Sequence, residues 1–216
     1  MNSESVNIKN LESRLLLEAI YKRYGYDFRS YVLSGMEKRL ENQMAADHLG
    51  SIAEMIPRVL HDKDYFNRLL LNLSVTVTDL FRDPLQYKEL RERVIPVLKT
   101  YPYINIWCAG CATGEEAYSM AILLKEENLL RRTQIYATDI NYESLDMGKK
   151  GIYPLRKVQK FTENYNATGG KFSLSKYYTI KYNACIMNNE LKRKILFSKH
   201  NLVNDGVFAE MHLIFC

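Results

Sequence analysis

The chain has 216 residues, 47% of them hydrophobic and 25% charged, with a formal net charge of +5. That is globular composition with room for one large domain or two smaller ones, and no apolar run reaches the roughly 20 residues that span a bilayer. Residues 1–5 lack the basic and apolar regions of a secretion signal, and four cysteines are too few for a disulfide scaffold, so the reading is a cytosolic protein with reduced thiols. The basic excess sits at the end: residues 151–216 hold ten Lys/Arg against four Asp/Glu. It suits either an acidic partner or a solvated face.

Residues 1–75 predict a helical bundle. One apolar face is read at Leu11, Leu15, Leu16, Ala19 and Ile20. A second runs from Phe28 through Tyr31/Val32 and Met36 to Leu40 and Met44, a third over Ile52–Leu60 and a fourth over Tyr65–Leu73. Gly25 and Gly50 suit helix ends. The pattern breaks at the β-branched Val75-Thr76-Val77-Thr78. Asp83-Pro84 then predicts a helix start, with Asp as N-cap and Pro at the first position, in a helix reaching about Leu98.

From Ile104 the chain reads as α/β. Ile104–Ala109 predicts a strand that runs into glycines, Glu115–Asn128 a helix, Gln134–Thr138 a second strand ending at Asp139, and Ser144–Lys150 a helix stopped by Gly151. Strand, glycine loop, helix and a strand with a terminal acid is the opening of a doubly wound sheet. A small antiparallel excursion is expected over about 152–198, with strands in Tyr177–Met187 and Leu191–Ser198. His212–Cys216 reads as a buried strand.

The chemistry concentrates at Cys108-Ala109-Gly110-Cys111-Ala112-Thr113-Gly114-Glu115-Glu116. Small residues at a strand end let a ligand approach the backbone, and the helix that follows offers free N–H groups. Two carboxylates in the first turn disfavour a phosphate and suit a cation. S-adenosylmethionine carries a sulfonium and an amino group and no phosphate. Asp139 can accept hydrogen bonds from two ribose hydroxyls, or can cap the next helix. Cys108-x-x-Cys111 lacks a second pair or a histidine cluster for zinc, and reads as packing; no metal is expected.

Four stretches resemble the CheR-type chemotaxis receptor methyltransferases. They are Tyr26-Asp27-Phe28 through Lys38-Arg39-Leu40, Leu73 through Thr76-Val77-Thr78-Asp79-Leu80-Phe81-Arg82-Asp83-Pro84, Ile106 through Ser119, and Tyr136-Ala137-Thr138-Asp139-Ile140 with Gly151-Ile152-Tyr153. The resemblance implies a protein-glutamate O-methyltransferase that uses S-adenosylmethionine, releases S-adenosylhomocysteine and acts on the acidic cytoplasmic helices of receptors. It implies an N-terminal helical domain over 1–75, a linker and helix over 76–100, and a Rossmann-like methyltransferase domain over 101–216 with an inserted antiparallel β-subdomain. It also implies a monomer that binds no nucleic acid and inserts in no membrane. By the same resemblance, Thr76, Thr78, Arg82, Ala109, Gly110, Glu116, Asp139, Asn201 and Leu202 contact the cofactor, with Glu115 beside them. Arg82 is the catalytic candidate, either orienting the substrate carboxylate or lying by the cofactor, and Lys38 and Arg39 face the receptor. In the family, the strand matching Ile214–Cys216 continues into Arg-Asn and an apolar-Tyr-Phe stretch, so the domain is expected to be incomplete at its C-terminal end. The competing readings are a receptor-binding remnant without catalysis and a methyltransferase for another substrate.

Overall fold

The computed structural model describes residues 8–29, 33–74, 78–202 and 205–216, without the side chains of 33 and 34. The chain divides into two compact units between residues 75 and 76.

The first unit is helical: α1 (Ile8–Tyr24), α2 (Leu33–Ala46), α3 (Met55–His61) and α4 (Lys63–Leu73). Gly25 ends α1 in the left-handed region, with φ 77°. Asp62 caps α4 by accepting from the N–H groups of Asp64 and Tyr65. Leu16, Leu17, Ile20, Leu40, Met55 and Leu69 form the centre of the core. The expected face of α1 needs correction: Leu11 and Leu15 are about half exposed, and the buried apolar side chains are Leu16, Leu17 and Ile20. Two apolar stripes share this helix, and periodicity alone does not say which one finds a neighbour. Tyr31 and Val32 lie outside the described residues.

The second unit opens with α5 (Pro84–Glu89), a wide turn at Leu90–Val94 and α6 (Ile95–Leu98), together covering the helix expected up to Leu98. Asp83 precedes Pro84, but its side chain makes no capping bond. Next come β1 (Ile104–Ala109), α7 (Glu115–Glu126), β2 (Thr133–Asp139), α8 (Tyr142–Lys150) and β3 (Ile152–Pro154). They are followed by α9 (Val158–Ala167), β4 (Tyr178–Lys181), β5 (Ala184–Met187), α10 (Asn189–Lys192), β6 (Ile195–Lys199) and β7 (Leu213–Phe215). The main sheet has the order β6-β2-β1-β7 and is parallel throughout. With β6 and β7 as the third and fourth parallel strands, this is the 3-2-1-4 order of a doubly wound sheet, with the reversal beside β1, where ligands bind at the carboxyl ends of the strands. Ile106, Cys108, Ile135 and Ala137 alternate toward the side buried with α7, whose Ala117, Met120, Ala121 and Leu124 are fully buried.

Two expectations for the later chain are corrected. Leu191 lies in α10, and Ile195–Lys199 pairs parallel with β2, so the small sheet ends at Met187 with the order β3-β5-β4. Its hairpin turns at Tyr182-Asn183, both with positive φ (50° and 57°), the twist that joins two antiparallel strands most tightly. The strand at His212–Cys216 is an edge: β7 pairs only with β1 among the described strands, and Ile214 is 56% exposed.

Two glycines set a close contact. A Cβ on Gly114 would lie 3.0 Å from the Cα of Gly148 and from the Phe197 ring, and one on Gly148 would lie 2.6 Å from that ring. The loop after β1, α8 and β6 therefore meet with no side chain of either glycine between them. Asn141, not Asp139, caps α8, accepting from the N–H of Ser144.

Candidate active site

The loop after β1 is built on three left-handed residues, Gly110 (φ 77°), Ala112 (φ 45°) and Gly114 (φ 90°). It is closed onto β2: the N–H groups of Gly110 and Cys111 both donate to the Thr138 carbonyl, at 2.8 and 2.9 Å. The Asp139 carboxylate joins in, accepting from the N–H of Ala112 through Oδ2 and of Asn141 through Oδ1, each at 2.8 Å. Each carboxylate oxygen keeps further lone-pair capacity. Tyr153 holds the far side of the loop by donating to the Thr113 carbonyl. Ala109 is buried, whereas a Cβ on Gly110 would meet nothing within 4 Å. The backbone at Gly110 thus borders open space at the strand end.

The two first-turn carboxylates of α7 differ in environment. Glu115 is fully buried and occupied: Lys157 Nζ lies 2.9 Å from its Oε1, and Thr113 Oγ1 donates to its Oε2. The expectation that both acids face a cation is therefore corrected, because Glu115 is spent on the protein's own lysine. Glu116 has a buried oxygen, Oε1, without a hydrogen-bond partner among the described residues. Burial pushes its carboxyl up to about 7, against a hydrogen bond from the Cys108 thiol that pulls the other way. The same burial raises the Cys108 and Cys111 thiols well above their usual range, as expected for packing cysteines.

The segment that leads into α5 is fixed by its backbone. Lys157 Nζ donates to the Thr78 carbonyl at 2.8 Å, Asn164 Nδ2 to the Leu80 carbonyl at 3.0 Å, and the Phe81 N–H donates to Ser119 Oγ at 2.8 Å. Phe81 is fully buried with φ 52°, a strained conformation for a bulky residue. Arg82 follows it, exposed and without a hydrogen bond or ion pair among the described residues. Thr76 lies outside the described residues.

After β6, the His200 N–H donates to the Asp139 carbonyl, which brings the buried Asn201 next to the acid. Asn201 is turned by Asp205, whose Oδ2 accepts from its N–H at 2.8 Å. Leu202 is half exposed. In the helical unit Lys38 is exposed, and Arg39 donates to the Leu73 carbonyl at the end of α4 at 2.6 Å. Sequence reading missed Lys157, Ser119 and Asn164. Ser119 sits inside a recognised motif, but nothing local to Lys157 or Asn164 marks them, because their partners lie about 40 or more residues away.

These residues fit a cationic, phosphate-free nucleoside. The unpartnered Glu116 oxygen calls for a donor, ideally a charged one, and a phosphate there would meet like charge. The bare backbone at Gly110 leaves room for such a ligand, and Asp139 stands at the second strand end, the usual ribose position. Fold and site together define an S-adenosylmethionine-dependent methyltransferase.

The comparison with known proteins makes this specific. The family description "CheR methyltransferase, SAM binding domain" matches residues 76–216, and "CheR methyltransferase, all-alpha domain" matches residues 12–74. The chain belongs to the CheR methyltransferase family. It is 44% identical over 207 residues to the Cher3 protein of Pseudomonas putida, covering 96% of this chain and 76% of the relative. It is 26% identical over 234 residues to the chemotaxis protein methyltransferase of Borreliella burgdorferi, covering 98% and 77%. Against chemotaxis protein methyltransferase 2 of Pseudomonas aeruginosa it is 25% identical over 207 residues, covering 92% and 71%.

Proposed function

We propose that this chain transfers methyl groups from S-adenosylmethionine to glutamate side chains in the acidic cytoplasmic helices of chemotaxis receptors, forming glutamate methyl esters. The observation that carries the cofactor half of this reading is the buried Glu116 oxygen with no partner among the described residues. The receptor half is supported by the names of the relatives, which are chemotaxis methyltransferases. The site of action would be the cytoplasm, and no helix among the described residues is long and apolar enough to cross a membrane.

When bound, S-adenosylmethionine supplies an electrophilic methyl group on a sulfonium. The rest falls to the chain. Glu116 accepts from the cofactor's amino group, Asp139 and the Gly110 backbone hold the ribose side, and Thr78, Ala109, Asn201 and Leu202 complete the walls. The acceptor glutamate is already ionised near neutral pH, so no strong base is needed. Alignment of carboxylate oxygen, methyl carbon and sulfur then dominates the barrier. Arg82, exposed and unpaired among the described residues, is assigned to orient the acceptor carboxylate through its planar fork. Lys38 and Arg39 on α2 steer the acidic receptor helix.

Radiolabelled methyl transfer to receptor membranes tests the reaction. Base-labile label on glutamate is expected; label on nucleic acid or small molecules, or binding of receptor without turnover, would reject it. Calorimetry with S-adenosylhomocysteine tests the site independently, and a folded chain that takes up none would remove the cofactor assignment.

A further inference from the structure

Lys157 occupies the turn between the small sheet and α9, far in sequence from both segments it touches. An ammonium has three donors. Here they face three acceptors: the Thr78 carbonyl at 2.8 Å, Glu115 Oε1 at 2.9 Å and Asp79 Oδ1 at 3.5 Å. The side chain is 31% exposed, its ammonium 5.6 Å from the Phe161 ring centre. A lysine on an open surface gains little from one ion pair, because side-chain entropy and solvent offset it. This one is different: one of its carboxylate partners is fully buried, and the other partners belong to the linker.

We infer that Lys157 is a positioning residue that clamps the linker bearing Arg82 to the first turn of α7, and so sets where Arg82 stands relative to Glu116. The inference rests on the proposed roles of Arg82 and Glu116. Three anchors hold the linker backbone, at Thr78 by Lys157, at Leu80 by Asn164 and at Phe81 by Ser119. Of these, Lys157 alone binds the buried Glu115 carboxylate, next to Glu116; Ser119 Oγ donates to the Glu115 carbonyl, a bond within α7. The anchors all take backbone atoms, which leaves the Arg82 side chain free for a substrate. Asn164 anchors the linker from α9 and Ser119 from α7 itself, whereas Lys157, from the turn before α9, ties the linker backbone to the Glu115 side chain through one atom.

The test uses the full chain with S-adenosylhomocysteine bound. Lys157→Met keeps the apolar stem and removes all three donors; Lys157→Arg keeps charge and donors. Hydrogen exchange over residues 78–82 is expected to quicken about 5-fold or more in Lys157→Met and to return near the parent rate in Lys157→Arg, with peptides of α1–α4 unchanged. In methyl transfer, kcat is expected to fall roughly 10-fold in Lys157→Met, while KM for receptor and the S-adenosylhomocysteine Kd stay within about 3-fold. Because Lys157 acts through Arg82, its kcat loss should shrink toward none in an Arg82→Ala background. Unchanged exchange at 78–82, or an equal kcat loss with and without Arg82, overturns the inference. An Arg82→Ala chain with full kcat, or a parent chain that binds no S-adenosylhomocysteine, sinks the site reading instead, and the exchange measurement then judges the clamp alone. If Lys157→Met does not fold, Lys157→Gln, with its shorter amide, serves in the same exchange assay under the same criteria.

Discussion

Helix α7 carries an acidic pair at each end, and the two pairs differ. At the C-terminal end every carboxylate oxygen is matched, although the buried Nε of Arg91 has no partner among the described residues. Glu126 accepts from Arg91, from the Tyr165 hydroxyl and from the Tyr177 hydroxyl at 2.8 Å. Glu127 takes Arg91, Lys99 and Lys171, and although burial raises its carboxyl, hydrogen bonds from Lys171 and Lys99 outweigh this and hold it below the usual range. At the N-terminal end Glu115 is matched by Lys157 and Thr113, and Glu116 keeps a buried oxygen with no partner among the described residues. Three acids on one helix serve the fold. The fourth is held in a state that folding disfavours, beside the strand-end loop where the cofactor is proposed to bind.

This contrast can be broken in order of size. Glu126→Ala should be the most damaging change, about 3–5 kcal/mol in denaturant unfolding, because it removes the partner of Arg91 Nη2, leaving Arg91 to Glu127 alone, and strands two buried hydroxyls. A loss under 1 kcal/mol would show that the C-terminal pair is not a structural hub. Glu116→Gln should do the reverse. Its carboxyl titrates near 7 in the fold against an ordinary 4.5, so wild-type stability declines as pH rises from about 4.5 to 7 and stays low above that. The glutamine form should therefore be more stable than wild type by about 3 kcal/mol at pH 8 and similar to it at pH 4.5, read from thermal unfolding across pH. The same variant should bind S-adenosylhomocysteine roughly 10- to 100-fold more weakly at pH 8, in keeping with loss of a charge-assisted hydrogen bond. Wild-type affinity should itself drop on acidification below about 7 as Glu116 protonates; a flat pH profile would detach Glu116 from the ligand.

Asp139→Ala should weaken the same nucleoside about 10-fold by calorimetry, since ribose acceptors and the Ala112 anchor go together. Equal affinity would take that carboxylate out of the site. The smallest effect belongs to the helical unit: Lys38→Glu should slow association with receptor a few-fold at low salt and less at high salt, with kcat unaltered.

The fold was largely readable. The glycine loop after an apolar strand, the acid closing the next strand and the helix between them led to a doubly wound sheet, and the main sheet is parallel throughout. Where reading failed, the missing information was three-dimensional. Leu11 and Leu15 share a helix with Leu16, Leu17 and Ile20, and only a neighbouring helix decides which stripe is covered. Ile195–Lys199 is apolar enough for either sheet, and its pairing with β2 rather than β5 is a matter of topology. Glu115 and Glu116 are adjacent letters of one motif, but successive residues point in different directions on a helix. One meets a lysine 42 residues on, and the other meets none. No local pattern carries that distinction.

The face-to-face glycines at 114 and 148 have a consequence for evolution at this locus. Neither touches a ligand in the proposed scheme, and neither has a side chain to lose. Yet a single methyl at 148 would drive a wedge against Phe197, and wherever α8 rather than the ring gave way it would carry Asn141 with it. Since the Asn141 amide is one of the two that aim Asp139, a mutation with no chemistry of its own would detune the nucleoside grip from behind.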